Sequence, residues 1–136
     1  MDLTIKRLTE TDYEEILVGW WGDWKWTPPM KDFLPDNGCG GFIVYEGETP
    51  ICAGFIYITN SSACWVDWII SNKNYTNKDG RKLAIRLLIE SLTNTCELSG
   101  GKYIYALIKN NHLINVYEEL GYIKGDSYTS EMIKII

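Results

Sequence analysis

The carboxylate most able to do chemistry is Asp67. It lies inside an apolar run, Ala63-Cys64-Trp65-Val66-Asp67-Trp68-Ile69-Ile70, where a charge is costly without a partner or a use. That placement suits a general base or an anchor for a substrate amine; the plainer alternative is an edge residue on a solvated part of a sheet. Strand parity groups Asp67 with Trp65 and Ile69, and Val66 with Trp68 and Ile70. The run empties through a polar loop, 71–80, onto a stretch at 81–92 with Ala84, Leu87, Leu88 and Leu92 at helical spacing. First-turn N–H groups of a helix lack acceptors and the dipole is positive there, so this junction suits an anion. Four tryptophans, Trp20, Trp21, Trp24 and Trp26, crowd one short segment. At least two must fold back onto the core as an aromatic cap. Trp24 and Trp26, nearest the Pro28-Pro29 turn, are the better choices for one wall of a substrate groove.

Other chemistries are excluded or weakened. The four cysteines form no Cys-x-x-Cys pair and His112 is the sole histidine, so no metal site is expected. Cys52, Cys64 and Cys96 fall at apolar positions and read as buried free thiols. The net charge of −5 argues against nucleic-acid binding, which needs a basic face. It is compatible with a cationic amine as substrate. The N-terminus has no apolar signal core and no apolar run reaches membrane-spanning length, so a cytoplasmic protein without a membrane partner is expected.

The 136 residues fit one domain, 1–136. Leu3 to Leu8 reads as a first strand. Thr9 and Asp12 form a capping-box-like start for a helix with Tyr13, Ile16, Leu17 and Trp20 on one face. Lys31 to Leu34 suggests a short helix. Phe42–Tyr45, Ile51–Thr59 and Ala63–Ile70, joined by tight turns, predict an antiparallel meander. After the long helix, Gly100-Gly101 stops it and Lys102 to Ile108 is a strand, parallel to its neighbour by a crossover. Asn110-Asn111 lead into a helix ended by Gly121, and Tyr122–Lys124 and Tyr128–Ile136 are expected to finish the sheet. The order is β-α-(α)-β-β-β-α-β-α-β: an α/β fold with a mixed, mostly antiparallel central sheet flanked by helices.

That order, and the tail Asn110-Asn111-His112-Leu113-Ile114-Asn115-Val116-Tyr117-Glu118-Glu119-Leu120-Gly121-Tyr122, resemble the GNAT (Gcn5-related N-acetyltransferase) acyltransferases. The tail is similar to that family's pattern of an Asn, a helix carrying a Tyr, then Leu-Gly-aromatic. The resemblance implies an acetyl-CoA-dependent N-acetyltransferase in which a primary amine attacks directly in a ternary complex. The acceptor would be a small-molecule or protein amine, and the chain a monomer or homodimer. The alternative is a catalytically inactive GNAT-like module that binds a protein or peptide, its motive being the atypical loop and the surplus tryptophan. By position in the motif, Tyr117 would protonate the leaving thiolate; as a plain residue it is a core aromatic. Asn110 would lie near the pantetheine arm; as a plain residue it is a helix N-cap. The backbone of Trp68, Ile69, Ile70 and Ser71 would pair with the pantetheine amides as an added strand does.

The phosphate loop departs from the family pattern. Aligned on Leu87-Leu88, it reads Asp79-Gly80-Arg81-Lys82-Leu83-Ala84. Asp79 stands where a basic or amide residue is usual and Lys82 where a glycine is usual; Ala84 fits. Lys78, Arg81 and Lys82 offer compensating cations, so Lys78, Gly80, Arg81, Lys82 and Ala84 are the expected cofactor residues. A second reading makes Thr76-x-x-Asp79 a capping box, starting the helix about a turn earlier and engaging Asp79 with the helix's own N–H groups.

Overall fold

The computed structural model describes residues 2–128 and 130–136. Five strands form one sheet in the order β1-β2-β3-β4-β5. They are β1 (Leu3–Arg7), β2 (Gly41–Glu46), β3 (Thr49–Ile58), β4 (Ala63–Ser71) and β5 (Tyr103–Tyr105). Neighbours are antiparallel except β4 and β5, which run parallel. The mixed sheet flanked by helices is the expected one.

The helices are α1 (Val18–Asp23), entered through a π-helical turn at Tyr13–Leu17, α2 (Lys78–Leu98) and α3 (Asn111–Glu119). Asp12 Oδ2 accepts the Thr9 N–H at 2.8 Å, the returning half of the anticipated capping box. Gly100 and Gly121, both at positive φ, end α2 and α3 as predicted. Among the described residues no helix is long and apolar enough to cross a membrane.

Two apolar clusters clasp the sheet. One holds Val44, Ile51, Cys52, Val66, Ala84, Leu88, Leu92 and Tyr117 on the side of α2 and α3. The other holds Leu17, Trp20, Trp21, Leu34, Phe55 and Ile70 on the side of α1. Trp20 and Trp21 are the buried aromatic cap, whereas Trp26 is 54% exposed.

Three expectations are corrected. Helix α2 starts at Lys78, not Arg81, and its cap is Asn77, whose side chain accepts the Gly80 N–H at 3.0 Å. The Thr76–Asp79 box is therefore not the device that starts it. The closing strands do not form: no described residue after α3 is in a strand, and Ile123 and Ile135 are more than nine-tenths exposed. Thr129, within that expected stretch, lies outside the described residues. The physical reason is a missing edge, since a strand needs a neighbour's ladder and β5 offers only three residues. The shortness of β5 is the third correction. The chain leaves the sheet after Tyr105, and that departure opens the cleft described next.

Candidate active-site cleft

Strands β4 and β5 pair only at Ala63↔Tyr103, Cys64↔Ile104 and Trp65↔Tyr105. Beyond Trp65, β4 keeps its ladder with β3 but has no strand among the described residues on its other side. A run of backbone N–H and C=O groups is thereby left facing a gap, the condition for pairing with an extended ligand.

A bulge shapes this edge. Ala53 pairs with Ile70 and Phe55 with Asp67, so β4 has one residue more than β3 between those pairs. Trp68 takes up the excess at φ 59°, a left-handed conformation that L residues with large side chains rarely adopt. Its surroundings hold it there. The indole packs edge-on against Trp21 (6.4 Å) and Phe33 (5.9 Å), and its Nε1 donates to Tyr57 Oη at 2.9 Å. Tyr57 Oη in turn donates to the Phe33 carbonyl at 3.0 Å. Gly54 lies opposite, where an added Cβ would come 2.4 Å from Ile69 Cδ1.

The bulge overturns the parity expected from alternation. Val66 and Ile69 both pack on the α2 side, while Trp68 and Ile70 pack on the α1 side. Ile69, not Trp68, therefore lines both cavities beside the edge as an apolar wall, and the side chain of Ile70 is buried away from them.

Two cavities meet along this edge. The inner one, about 390 Å³, is lined by Asp67, Ile69, Leu107, Asn110, Leu113 and Tyr117. The outer one, about 620 Å³, runs past Ser71 to Lys78, Lys82, Ile85 and Glu119, with Trp24 and Trp26 on its flank. Trp26, Ile69, Asn110 and Leu113 border both, which makes them one cleft.

The inner end brings Asp67 and Tyr117 together, although they lie on different elements. Burial raises the Asp67 carboxyl above its ordinary value; the Trp68 N–H, donated to Oδ1 at 2.7 Å, partly offsets this, and the Glu131 carboxylate adds to the rise. Tyr117 is 3% exposed, and burial pushes its hydroxyl well above the ordinary tyrosine range, with Tyr122 and Asp67 adding. Its ring meets Tyr122 edge-on at 4.8 Å. Asn110 caps α3, accepting the Leu113 N–H at 3.1 Å, while bordering both cavities.

The outer end is arranged differently from expectation. Gly80 and Ala84 are buried against the sheet and line neither cavity. Arg81 turns back onto the loop: its Nη2 donates to the carbonyls of Asn72, at 2.8 Å, and Tyr75. Lys82 and Arg86 both reach Glu119, at 3.5 Å each. Trp24 and Trp26 stack at 5.9 Å beside the helix N-terminus, so Trp24 stands with Lys78 and not with Asp67. Trp24 Nε1 also donates to the Ser71 carbonyl at 2.8 Å. Sequence reasoning missed Asn77, Glu119 and the Trp68–Tyr57 link. Asn77 was within reach, being a good N-cap type directly ahead of Lys-Asp-Gly. No local pattern marks the other two.

No protein-family model and no curated protein matches the chain. Solved structures do. The glucosamine-6-phosphate N-acetyltransferase of Arabidopsis thaliana superposes with a TM-score of 0.69 at 13% identity, over 98% of this chain and 100% of that one. The ribosomal-protein-S18-alanine N-acetyltransferase of Escherichia coli gives 0.69 at 19% identity, over 92% and 80%. An aminoglycoside acetyltransferase from an uncultured soil metagenomic sample gives 0.67 at 10% identity, over 98% and 96%. The fold is the GNAT fold. At such identities the likeness concerns the fold alone. Within the GNAT fold of this chain, the cleft is the gap where β4 and β5 part.

Proposed function

We propose that this GNAT-fold chain is an acetyl-CoA-dependent N-acetyltransferase acting on a primary amine by direct attack. The observation that carries the reading is Asp67 and Tyr117 on one cavity, beside the unpaired edge of β4. The residues present fit the acyl and pantetheine portion of such a donor. Val66 to Ile70 offer an open edge for its amides, and Ile69, Leu113 and Asn110 border the space it would occupy. Lys78 and Lys82 are the cations lining the outer cavity that would face its phosphates. When bound, acetyl-CoA supplies an activated acetyl carbon on a thiol leaving group.

Asp67 removes a proton from the incoming ammonium, directly or through one water, so that the amine lone pair is free to form the C–N bond. Its raised proton affinity suits it to that task nearer neutrality than an ordinary carboxylate. Open N–H groups of the β4 edge are the donors at hand for the oxyanion. Tyr117 keeps its proton at any working pH. A thiol has an ordinary pKa of about 8.5, so full transfer from such a tyrosine is uphill. Tyr117 therefore serves as a hydrogen-bond donor to the departing sulfur as the C–S bond breaks, and the second proton shed by the former ammonium passes to that sulfur. The Glu131 carboxylate near Asp67 favours a cationic acceptor, whether a small molecule or a protein amine.

The test incubates the chain with acetyl-CoA and a panel of polyamines, aminoglycosides, amino acids and peptides, reading free thiol and acetylated product by mass spectrometry. Acetylated product that disappears with Asp67→Asn supports the reading. No product with any amine, together with no acetyl-CoA binding by calorimetry at millimolar concentration, sinks it.

A further inference from the structure

The outer end of the cleft has the side chains to hold a pyrophosphate, yet almost every one has another partner. Asn77 Oδ1 already takes the Gly80 N–H at the head of α2, and Asp79 places a negative charge in the first turn. The Arg81 guanidinium is fixed on two loop carbonyls through Nη2, its buried Nε being left without a partner. Lys82 shares Glu119 with Arg86. Of the three cations lining this cavity, Lys78 alone has no acidic or carbonyl partner among the described residues. The β4 edge also closes here, because the Trp24 indole occupies the Ser71 carbonyl and stacks on Trp26. By contrast, the edge from Val66 to Ile70 has no neighbouring strand among the described residues, although its Trp68 N–H is taken by Asp67 Oδ1, and it borders Ile69, Asn110 and Leu113.

We propose that the donor is recognised through its pantetheine arm and thioester, with its nucleotide pyrophosphate contributing little, so that the substrate class is acylpantetheine thioesters and not CoA esters alone. This rests on the acyltransferase reading of the same cleft. A pyrophosphate held by two charge-assisted hydrogen bonds would separate CoA from pantetheine by roughly a hundredfold or more. Here the lining offers one free lysine and one carboxylate, Glu119, while Asp79 adds negative charge to the first turn of α2. A large advantage for the nucleotide is therefore not expected.

Calorimetric titration of the full chain with CoA, dephospho-CoA and pantetheine decides the matter. The expected result is three dissociation constants within about tenfold of one another. CoA binding tighter than pantetheine by more than that overturns the inference while leaving the acyltransferase reading intact. Binding of none of them at millimolar concentration overturns both. A second arm uses Glu119→Gln, at an exposed position on α3. Freeing Lys82 and Arg86 should raise CoA affinity by about tenfold and leave pantetheine affinity unchanged. An unaltered CoA affinity in that variant overturns the inference.

Discussion

The two ends of the cleft are built on opposite principles. At the inner end, backbone does the shaping: β5 stops after Tyr105, a bulge at Trp68 turns β4, and an edge of peptide groups is left without a neighbouring strand among the described residues. The candidate side chains there, Asp67 and Tyr117, sit in surroundings that raise both their pKa values. At the outer end, side chains bond one another: Asn77 to Gly80, Arg81 to the loop, Lys82 and Arg86 to Glu119. The inner end keeps a backbone edge facing a cavity, and the outer end has bonded most of its side chains to one another, Lys78 and the buried Arg81 Nε excepted. Unmet hydrogen-bonding and charge capacity is what a ligand can use, so ligand recognition should concentrate at the inner end.

Substitutions at the two ends should therefore separate activity from stability. The largest effect is expected from Asp67→Asn, which removes the proton acceptor and should lower kcat/KM by about 10²- to 10⁴-fold. The parent rate should rise with pH through the raised Asp67 value, and the variant should lose that limb. A profile unchanged from the parent would remove Asp67 from the chemistry. Tyr117→Phe should lower kcat by roughly 10- to 100-fold, the worth of a hydrogen bond to a charged group. Its melting temperature and donor affinity should stay near the parent's; an unchanged kcat would leave Tyr117 as core packing.

Smaller effects sharpen the contrast. Gly54→Ala would drive a Cβ into Ile69 and against Leu92 behind the bulge, at a cost of about 1–3 kcal/mol in denaturant unfolding. A neutral result would show that the bulge yields easily. At the outer end, Arg81→Met should cost about 1–2 kcal/mol of stability by releasing the Asn72 and Tyr75 carbonyls, with CoA affinity unaltered. A steep loss of CoA affinity would return Arg81 to the phosphates. The smallest effect concerns pH and stability. Asp67 has a folded-state pKa above its ordinary value of 3.8, so the folded chain binds the proton more tightly than the unfolded chain. Its neutral form favours folding at low pH, and that contribution is lost as pH rises from 3.8 towards the folded value. Asp67→Asn should thus gain in relative melting temperature across that window; a constant difference would contradict the shift.

Much of this was legible beforehand, and the reason lies in range. The meander from Gly41 to Ser71, the stops at Gly100 and Gly121, the Asn110 cap and the buried Trp20 and Trp21 follow from propensity, turn chemistry and periodicity over a few residues. Asp67 was conspicuous because one charge breaks an apolar run, and Tyr117 because of its place before Leu120-Gly121-Tyr122. Apart from the start of α2, the misplacements depended on contacts between distant segments. Alternation grouped Trp68 with both Val66 and Ile70, and the bulge, which changes parity but not composition, parts it from Val66; it is held by Trp21, Phe33 and Tyr57. The tail alternates like a strand, yet no edge receives it.

The sequence by itself determined the order of elements as far as α3, the charge that disfavours nucleic acid, and which residues are candidates for chemistry, since each is a property of single residues or short windows. Only the tertiary structure decided where β4 and β5 part, which way Trp68 and Ile69 face, and that Arg81 and Lys82 already have partners. Those outcomes depend on which groups meet across the sheet and between α2 and α3, and a pairing free energy exists only once both partners have been brought together.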